Sequence, residues 1–388
     1  MIRPPLSETT LLTASQGYCH DGFFLTGTEC APAYSLSAGS VNINERIQGR
    51  LISLSLTDNR GFEADQLDIE IDDADGKMML PKRGEVLSLH LGWKNEPLIF
   101  KGKFTVDEIE HSGPPDKLTI RGRSADFRSS LNAKREVSYH EKTLGDIITT
   151  IAKRNNLEPV IEKTLAEIKI AHIDQTNESD GSFLARLGKQ EGAVAAVKNG
   201  QLLFMPQGSG KTASGKPIPA LLITRSVGDG YRFSLADRGA YTGVIASWLN
   251  TRKPKKKDEV KVKRKRKTKK KSQEKIKKPD EPQGDYLIGE EGNVLTLSHT
   301  YANKNNAERA AKAAWEKMQR GVASLSIQLA KGRADIYPEM PVKVQGFKPE
   351  IDGAEWILTK VSHSLNDSGF TSALEFEVKI SDVEMGDG

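Results

Sequence analysis

The chain has 388 residues, 37% of them hydrophobic, and a formal net charge of +5. This length predicts two or three domains, and the absence of any apolar run of about 18–20 residues argues against a membrane-spanning helix. The N-terminus lacks the pattern of a secretory signal, and two cysteines, Cys19 and Cys30, argue against a disulfide framework, so we expect folding in a reducing cytosol.

The positive charge is concentrated in one segment. Residues 252–278 hold 17 Lys and Arg against three acids, a net of +14 within a total of +5, which leaves −9 for the rest. Folded nucleic-acid-binding proteins usually spread basic charge over a surface, and no aromatic residue interrupts this run to stack on bases. We interpret residues 252–282 as a disordered basic linker; an electrostatic contact with an acidic partner is the alternative.

In chain order, the first elements are strands. Residues 1–34 show no sustained periodicity and are interpreted as an N-terminal extension. Between residues 35 and 130, apolar residues alternate with polar ones in five or six short runs, most of them closed by Gly, Pro or Asp. This pattern predicts a first small antiparallel β-barrel.

Helical periodicity then appears in residues 131–235. Thr143 and Asp146 form a candidate capping box before an apolar helical face, and a second helix is expected from Ser179 to Gly192. Strand-like runs follow this second helix, so we expect an α+β domain here.

A second β-barrel is predicted from residues 236–251 and 283–385, interrupted by the basic linker. It includes a helix that Asn303 caps and Gly321 ends. The overall prediction is a β-rich α+β protein: two similar small antiparallel barrels, an α+β domain between them and a disordered basic insert.

The two barrels are expected to be copies of one unit. Phe104–Ser112 corresponds to Trp356–Ser364, and each segment is followed by a turn and an alternating strand. Alternation predicts Phe104, Val106 and Glu108 on one strand face, with Trp356, Leu358 and Lys360 as their counterparts. His111 and His363 then occupy equivalent strand ends, which favours packing rather than catalysis.

Two motifs resemble ligand sites but fail in detail. In Gly208-Ser-Gly-Lys211-Thr212, the glycine that a phosphate-binding loop needs is replaced by Met205, and prolines follow where a helix should start. Asp73-Ala-Asp75-Gly76 lacks the carboxylates at both ends of a calcium loop. We therefore predict no catalytic, cofactor-binding or metal-binding residue and expect no enzyme activity.

Five stretches carry a resemblance to a known family: Leu56–Glu70, Lys101–Glu108, Arg123–Arg128, Ala236–Gly243 and Lys331–Tyr337. Over residues 34–383 the chain resembles the late control gene D proteins of peduovirus-type phages, including the basic insert. These are similar to the T-even baseplate hub and to the N-terminal part of type VI secretion VgrG spikes.

The resemblance implies a structural tail hub, made and assembled in the cytoplasm of a bacterial host and located in the virion tail. Such a hub is a homotrimer that joins a sixfold tail tube to a trimeric spike, beside other baseplate and tape-measure proteins. No cofactor, nucleic-acid partner or stable membrane insertion is implied. The alternatives are a DNA-binding late-gene regulator, which rests on the basic insert, and a hub with accessory cell-wall-degrading activity.

Overall fold

The computed structural model describes residues 31–39, 41–124, 129–198, 200–212, 214–235, 241–249, 283–289 and 293–379. The predicted basic linker, and the predicted N-terminal extension up to residue 30, lie outside these ranges. Within them, no helix is long and apolar enough to cross a membrane.

The first barrel is built around one apolar core. Alternate residues of its strands point inward and are buried, as along Leu54 and Leu56 or Leu67 and Ile69. Its elements are β1 (Pro32–Ala38), β2 (Val41–Asn42), α1 (Asn44–Ile47), β3 (Leu51–Asn59), β4 (Gln66–Asp72), β5 (Val86–Trp93), β6 (Ile99–Ser112) and β7 (Lys117–Ser124).

The middle domain has a separate core in which two amphipathic helices pack on short strands. The predicted capping box is present, because the Thr143 side chain accepts from the Asp146 amide while the Asp146 carboxylate accepts from Thr143 N. The second helix begins after Ser179 and ends at Gly192, whose φ of 64° suits a left-handed cap. The elements are α2 (Ser129–Asn132), β8 (Lys134–Thr143), α3 (Leu144–Arg154), β9 (Glu158–Ile161), α4 (Lys163–Ala166), β10 (Lys169–Ser179), α5 (Asp180–Glu191), β11 (Ala193–Lys198) and β12 (Gln201–Pro206).

The second barrel is interrupted by an insertion with its own small core, which we call the helical insertion. The barrel starts with β13 (Leu221–Thr224) and β14 (Gly228–Leu235). The described part of the helical insertion contains β15 (Gly243–Leu249), β16 (Gln283–Gly289), β17 (Val294–Thr296) and α6 (Lys304–Arg320). The barrel continues with β18 (Ala323–Leu329), β19 (Pro341–Gln345), α7 (Pro349–Asp352), β20 (Trp356–Asn366) and β21 (Gly369–Val378).

The limits of the second barrel differ from those predicted. β13 and β14, which the prediction assigned to the middle domain, pair with β19 and β18 of the second barrel. Conversely, β15 pairs only with β16 and β17 among the described strands, and α6 packs on this separate sheet. Strand periodicity reveals a strand but not its distant partner, which is why the sequence misplaced these elements.

Both barrels share one strand order. Within a 13-stranded sheet, the first barrel runs β3-β4-β7-β6-β5-β1 and the second runs β14-β18-β21-β20-β19-β13. The directions also agree, except that β13 is parallel to β19 where β1 is antiparallel to β5. The predicted fold class, with two similar antiparallel units in a β-rich α+β chain, is confirmed.

β-Bulges align the two copies residue by residue. The β6–β7 ladder skips Asp107, and the β20–β21 ladder skips its predicted counterpart Thr359. The β3–β4 ladder skips Ile52, and the β14–β18 ladder skips Asp229. Because a bulge occupies a fixed place in a ladder, these coincidences extend the predicted equivalence to β3 and β14.

The bulges at Asp107 and Thr359 make one prediction wrong, that of the strand faces of Glu108 and Lys360. Phe104 and Trp356 are buried at equivalent positions, but the extra residue reverses the alternation, so Glu108 and Lys360 point outward instead of sharing the buried face. Both outward residues form cross-strand ion pairs, Glu108 with Arg121 at 2.8 Å and Lys360 with Glu375 at 3.8 Å.

Candidate functional site: the junction between the barrels

The two barrels meet edge to edge through a continuous antiparallel ladder. β3 of the first barrel pairs with the C-terminal half of β20, from Asn59 opposite Lys360 to Ser53 opposite Asn366. The N-terminal half of β20 pairs instead with β19 of its own barrel. One strand therefore serves both its own barrel and the neighbouring one, changing partner near its bulge.

The side chains on one face of this junction are mostly apolar and buried. Leu365 lies opposite Leu54, and Leu365, Phe370 and Ala334 of the second barrel complete the core of the first barrel. The ring centroids of Trp93 and Phe370 are 5.6 Å apart. Burying apolar surface stabilises a contact by about 25 cal/mol per Å². The apolar side chains of the junction therefore stabilise the contact between the two barrels.

Polar side chains of the first barrel anchor the loop between β18 and β19. The Trp93 indole donates to the carbonyl oxygen of Gly332 at 2.9 Å, and the Lys101 ammonium donates to the carbonyls of Ala334 and Ile336 at 3.2 and 3.1 Å. Burial lowers the pKa of Lys101. A side chain on Gly332 would collide with the Phe370 ring, since an added Cβ would lie 2.7 Å from it.

A second anchor is a buried ion network where the first barrel, the second barrel and α6 meet. Arg60 contacts the carboxylates of both Glu339 and Glu377, the latter at 2.5 Å, and the Glu377 carboxylate also lies 3.7 Å from Arg320. Burial raises the pKa of Glu339, an effect that Arg60 opposes, and Glu339 also accepts from the Gly208 amide at 2.9 Å.

The middle domain is joined to the first barrel by Lys198. Its ammonium contacts Asp58 at 2.9 Å and Asp65 at 2.5 Å. Burial would lower the pKa of Lys198, but the two carboxylates raise it overall. The pKa of Asp65 is raised by burial and by Asp58. All three parts of the chain are thus linked by partly or fully buried charged groups.

The two equivalent histidines lie in different surroundings. His363 is buried opposite Leu56 in the junction, with Nδ1 2.8 Å from the Ser372 hydroxyl, whereas the half-exposed His111 contacts Asp73 at 3.2 Å. Burial, with a further effect of Lys101, lowers the pKa of His363 to about 3. The two histidines lie at the equivalent positions that were predicted. They differ in burial, because His363 is buried and His111 is not.

The rejected ligand motifs lie in connections between strands. Gly208–Thr212 follows β12 without starting a helix, and Gly208 donates to Glu339. Asp75 forms a two-point ion pair with Arg50, at 2.6 and 2.5 Å, that holds the pKa of its carboxyl well below the usual range. No group of three or more His, Cys, Asp or Glu side chains in the described ranges is arranged to hold a metal ion.

A cleft of about 840 Å³ lies between α5, α6 and the loop after β3. Glu63 and His299 are among its polar lining groups. Five cationic side chains also line it: Arg60, Arg186, Lys189, Lys317 and Arg320. Arg60 and Arg320 are already engaged in the ion network. No sequence pattern indicates this cleft, because its lining comes from segments far apart in the chain.

Comparison with known proteins identifies the family. The family model described as "Phage tail baseplate hub (GPD)" matches residues 59–369. The chain is 54% identical to the probable baseplate hub protein of Escherichia phage 186, over 92% of this chain and 96% of the relative. It is also 54% identical to that of Escherichia phage P2, over 93% and 97%. The chain belongs to the phage tail baseplate hub family, as its resemblance implied, and is a component of the phage tail baseplate.

Solved structures show the same fold at low identity. The tail protein from Neisseria meningitidis MC58 superposes with a TM-score of 0.64 at 13% identity, covering 89% of this chain and 96% of that one. An E. coli component of the type VI secretion system, described as similar to the T4 tail proteins gp27 and gp5, superposes with a TM-score of 0.51 at 12% identity, covering 89% and 77%. The predicted relation to type VI secretion proteins thus holds at the level of fold.

Proposed function

We propose that this baseplate hub acts as a homotrimeric adaptor between the sixfold tail tube and the threefold central spike. The observation that carries the proposal is the repeat: two barrels with one strand order and matching bulges lie side by side in each chain. Three chains would supply six similar barrels for the tube, while the middle domains and helical insertions would keep threefold symmetry for the spike.

Rigidity supports this role. A tail adaptor must transmit force between tube and spike, and the barrels are joined by a continuous ladder, an apolar core and buried ion pairs rather than by a linker. The proposed function therefore rests on interfaces between protein chains.

The test is the mass of the complex. The purified chain, mixed with the spike and tube proteins of the same tail, should give a complex containing three copies by native mass spectrometry. A complex with one or two copies at saturating partner would contradict the adaptor. Without partners the chain is expected to be monomeric at low concentration, because partner binding stabilises the assembled form.

The DNA-binding alternative has its own test. It predicts duplex binding that weakens steeply with salt and disappears when residues 252–278 are deleted. The hub proposal predicts that tails assembled from this deletion variant still contain three copies of the chain.

A further inference from the structure

Two histidines face each other across the two-stranded ribbon of the middle domain, in which β8 and β10 pair only with each other among the described strands. We propose that His140 of β8 and His172 of β10 bind one divalent transition metal ion, with Cu²⁺ and Ni²⁺ preferred over Zn²⁺. This site lies outside the junction between the barrels and goes beyond the proposed adaptor function.

Strand pairing brings the two histidines together. They are 32 residues apart in the chain but lie directly opposite each other in the antiparallel ladder. Side chains at such positions start only about 4.5–5.5 Å apart at their Cβ atoms, so both rings reach the same space. No spacing typical of a metal motif links the two residues in the sequence, because the tertiary fold alone makes them neighbours.

The ring nitrogens are close enough to share one ion. The two Nδ1 atoms are 3.0 Å apart, and the rings lie side by side with their centroids 4.6 Å apart. Both side chains are exposed, so a hydrated ion can reach them. A histidine nitrogen binds a metal at about 2.0–2.1 Å, so two nitrogens at this separation would subtend about 90–95° at the ion.

This angle distinguishes between metals. Neighbouring ligands are about 90° apart in the square-planar and octahedral arrangements that Cu²⁺ and Ni²⁺ adopt, and imidazole suits both ions. Zn²⁺ prefers a tetrahedral arrangement, in which the angle is about 109°. The arrangement of His140 and His172 therefore favours Cu²⁺ and Ni²⁺, with water in the other coordination positions.

Asp174 orients His172. Its carboxylate accepts a hydrogen bond from Nε2 of His172 at 3.0 Å. The Ser138 hydroxyl, together with both histidines, lowers the pKa of Asp174, so the carboxylate is ionised and can only accept. A neutral His172 therefore carries its proton on Nε2 and directs the Nδ1 lone pair towards His140. Carboxylates hold metal-binding imidazoles in the same way. Asp174 is a positioning residue and not a third ligand, because it lies on the far side of the ring.

The remaining proton has a place to go. When both rings are neutral and no metal is bound, Nδ1–H of His140 donates to Nδ1 of His172. Metal binding needs that Nδ1 lone pair, so the proton moves through water to Nε2 of the same exposed ring. His140 stays neutral in its other tautomer, and no net proton is lost.

The strands that carry the two ligands are held by α5. Tyr139, next to His140, is buried and its ring stacks on Phe183 of α5 with centroids 5.7 Å apart. On the other strand, Arg186 of α5 donates to the backbone carbonyl of Asp174 at 2.7 Å and pairs with Glu178 at 2.7 Å. The two strands are thus fixed before a metal binds, which keeps the two imidazoles in register.

Metal titration tests the site. The untagged full chain carries Cys19→Ser, His20→Ala and Cys30→Ser, because thiolates also bind copper. Calorimetry of this variant with Cu²⁺, and separately with Ni²⁺, should show one strongest site per chain. Adding His140→Ala or His172→Ala should weaken that site by at least about tenfold, which is about 1.4 kcal/mol.

His111→Ala is the matched control. His111 is also a half-exposed strand histidine that contacts a carboxylate, that of Asp73 at 3.2 Å, but it has no imidazole opposite. This variant should bind both metals like its parent. All three alanine variants should keep the melting temperature of the parent without metal, because the replaced side chains are exposed.

The copper spectrum gives a second measurement. Electron paramagnetic resonance of the Cu²⁺ complex should show two bound imidazole nitrogens in the parent and one after His140→Ala. Asp174→Ala should weaken binding by about tenfold or more and keep the two-nitrogen spectrum, since it removes only the group that orients His172.

Three results would overturn the site: equal affinity of the His140→Ala and His111→Ala variants, a one-nitrogen spectrum in the parent, or Zn²⁺ binding at least as tightly as Ni²⁺. None of them bears on the copy number of the complex with the spike. The metal site and the trimeric adaptor can therefore fail independently.

Discussion

Acidification should lower the free energy of unfolding of this protein through protonation of His363 in the unfolded chain. The side chain is buried between the barrels, and its pKa is lowered to about 3. In the unfolded chain a histidine titrates at about 6.5. Between these two values the unfolded state binds a proton that the folded state does not, so the free energy of unfolding falls as the pH drops below about 6.5.

The magnitude follows from the difference in proton binding. From pH 7 to pH 5 the unfolded histidine becomes almost fully protonated, which costs about 2 kcal/mol of folding stability at 1.36 kcal/mol per unit. His363→Gln removes the titrating group and keeps a polar side chain near the Ser372 hydroxyl. This variant is less stable at pH 7 because the core packing changes, but its stability should depend less on pH.

The assay is urea unfolding of wild type and His363→Gln at pH 7 and pH 5, followed by tryptophan fluorescence. The wild type should lose about 2 kcal/mol more than the variant over this interval. His299→Gln, on an exposed histidine of the helical insertion, should behave as wild type. The reasoning fails if His363→Gln and wild type lose the same stability between the two pH values.

Three further predictions concern the junction and the basic segment. Arg60→Ala should lower the free energy of unfolding by about 3–5 kcal/mol, since it leaves the buried Glu339 carboxylate without its Arg60 partner; exposed Arg123→Ala, measured in parallel by denaturant unfolding, should cost less than about 0.5 kcal/mol, and equal losses would refute the network. Gly332→Ala should cost about 1–3 kcal/mol through its collision with Phe370, whereas Gly230→Ala, which meets nothing within 4 Å, should be nearly neutral in thermal melting. Replacing residues 250–282 with a four-residue turn should leave the melting temperature unchanged or raise it, because Leu249 and Gln283 are already paired and a shorter loop closes at about 2 kcal/mol lower entropic cost; a drop of several degrees would mean that the segment packs on the body.

Local features of the fold were predictable because they depend on neighbours in the sequence. The capping box at Thr143 and the glycine end at Gly192 follow from hydrogen bonds within one helical turn. The repeat was also detectable, since Phe104 and Trp356 lie at equivalent positions of β6 and β20 and precede similar segments. These signals need no knowledge of the tertiary fold.

Long-range pairing was not predictable in the same way. Nothing around Leu221 or Gly228 indicates that β13 and β14 join strands more than 90 residues later. The bulge at Asp107 changes which residues of β6 point inward. It was missed because the residue pattern around a bulge resembles that of an ordinary strand. The ion network of Arg60 combines side chains from four separate segments, so its members resemble surface charges in the sequence.

The position of β14 also affects the free protein, because β14 ends the large sheet and pairs only with β18 among the described strands. An edge strand with exposed apolar side chains, such as Tyr231 and Leu235 of β14, can pair with another chain and lead to aggregation. The timing of synthesis then matters, because hub protein that has not yet assembled into a tail is the form exposed to aggregation.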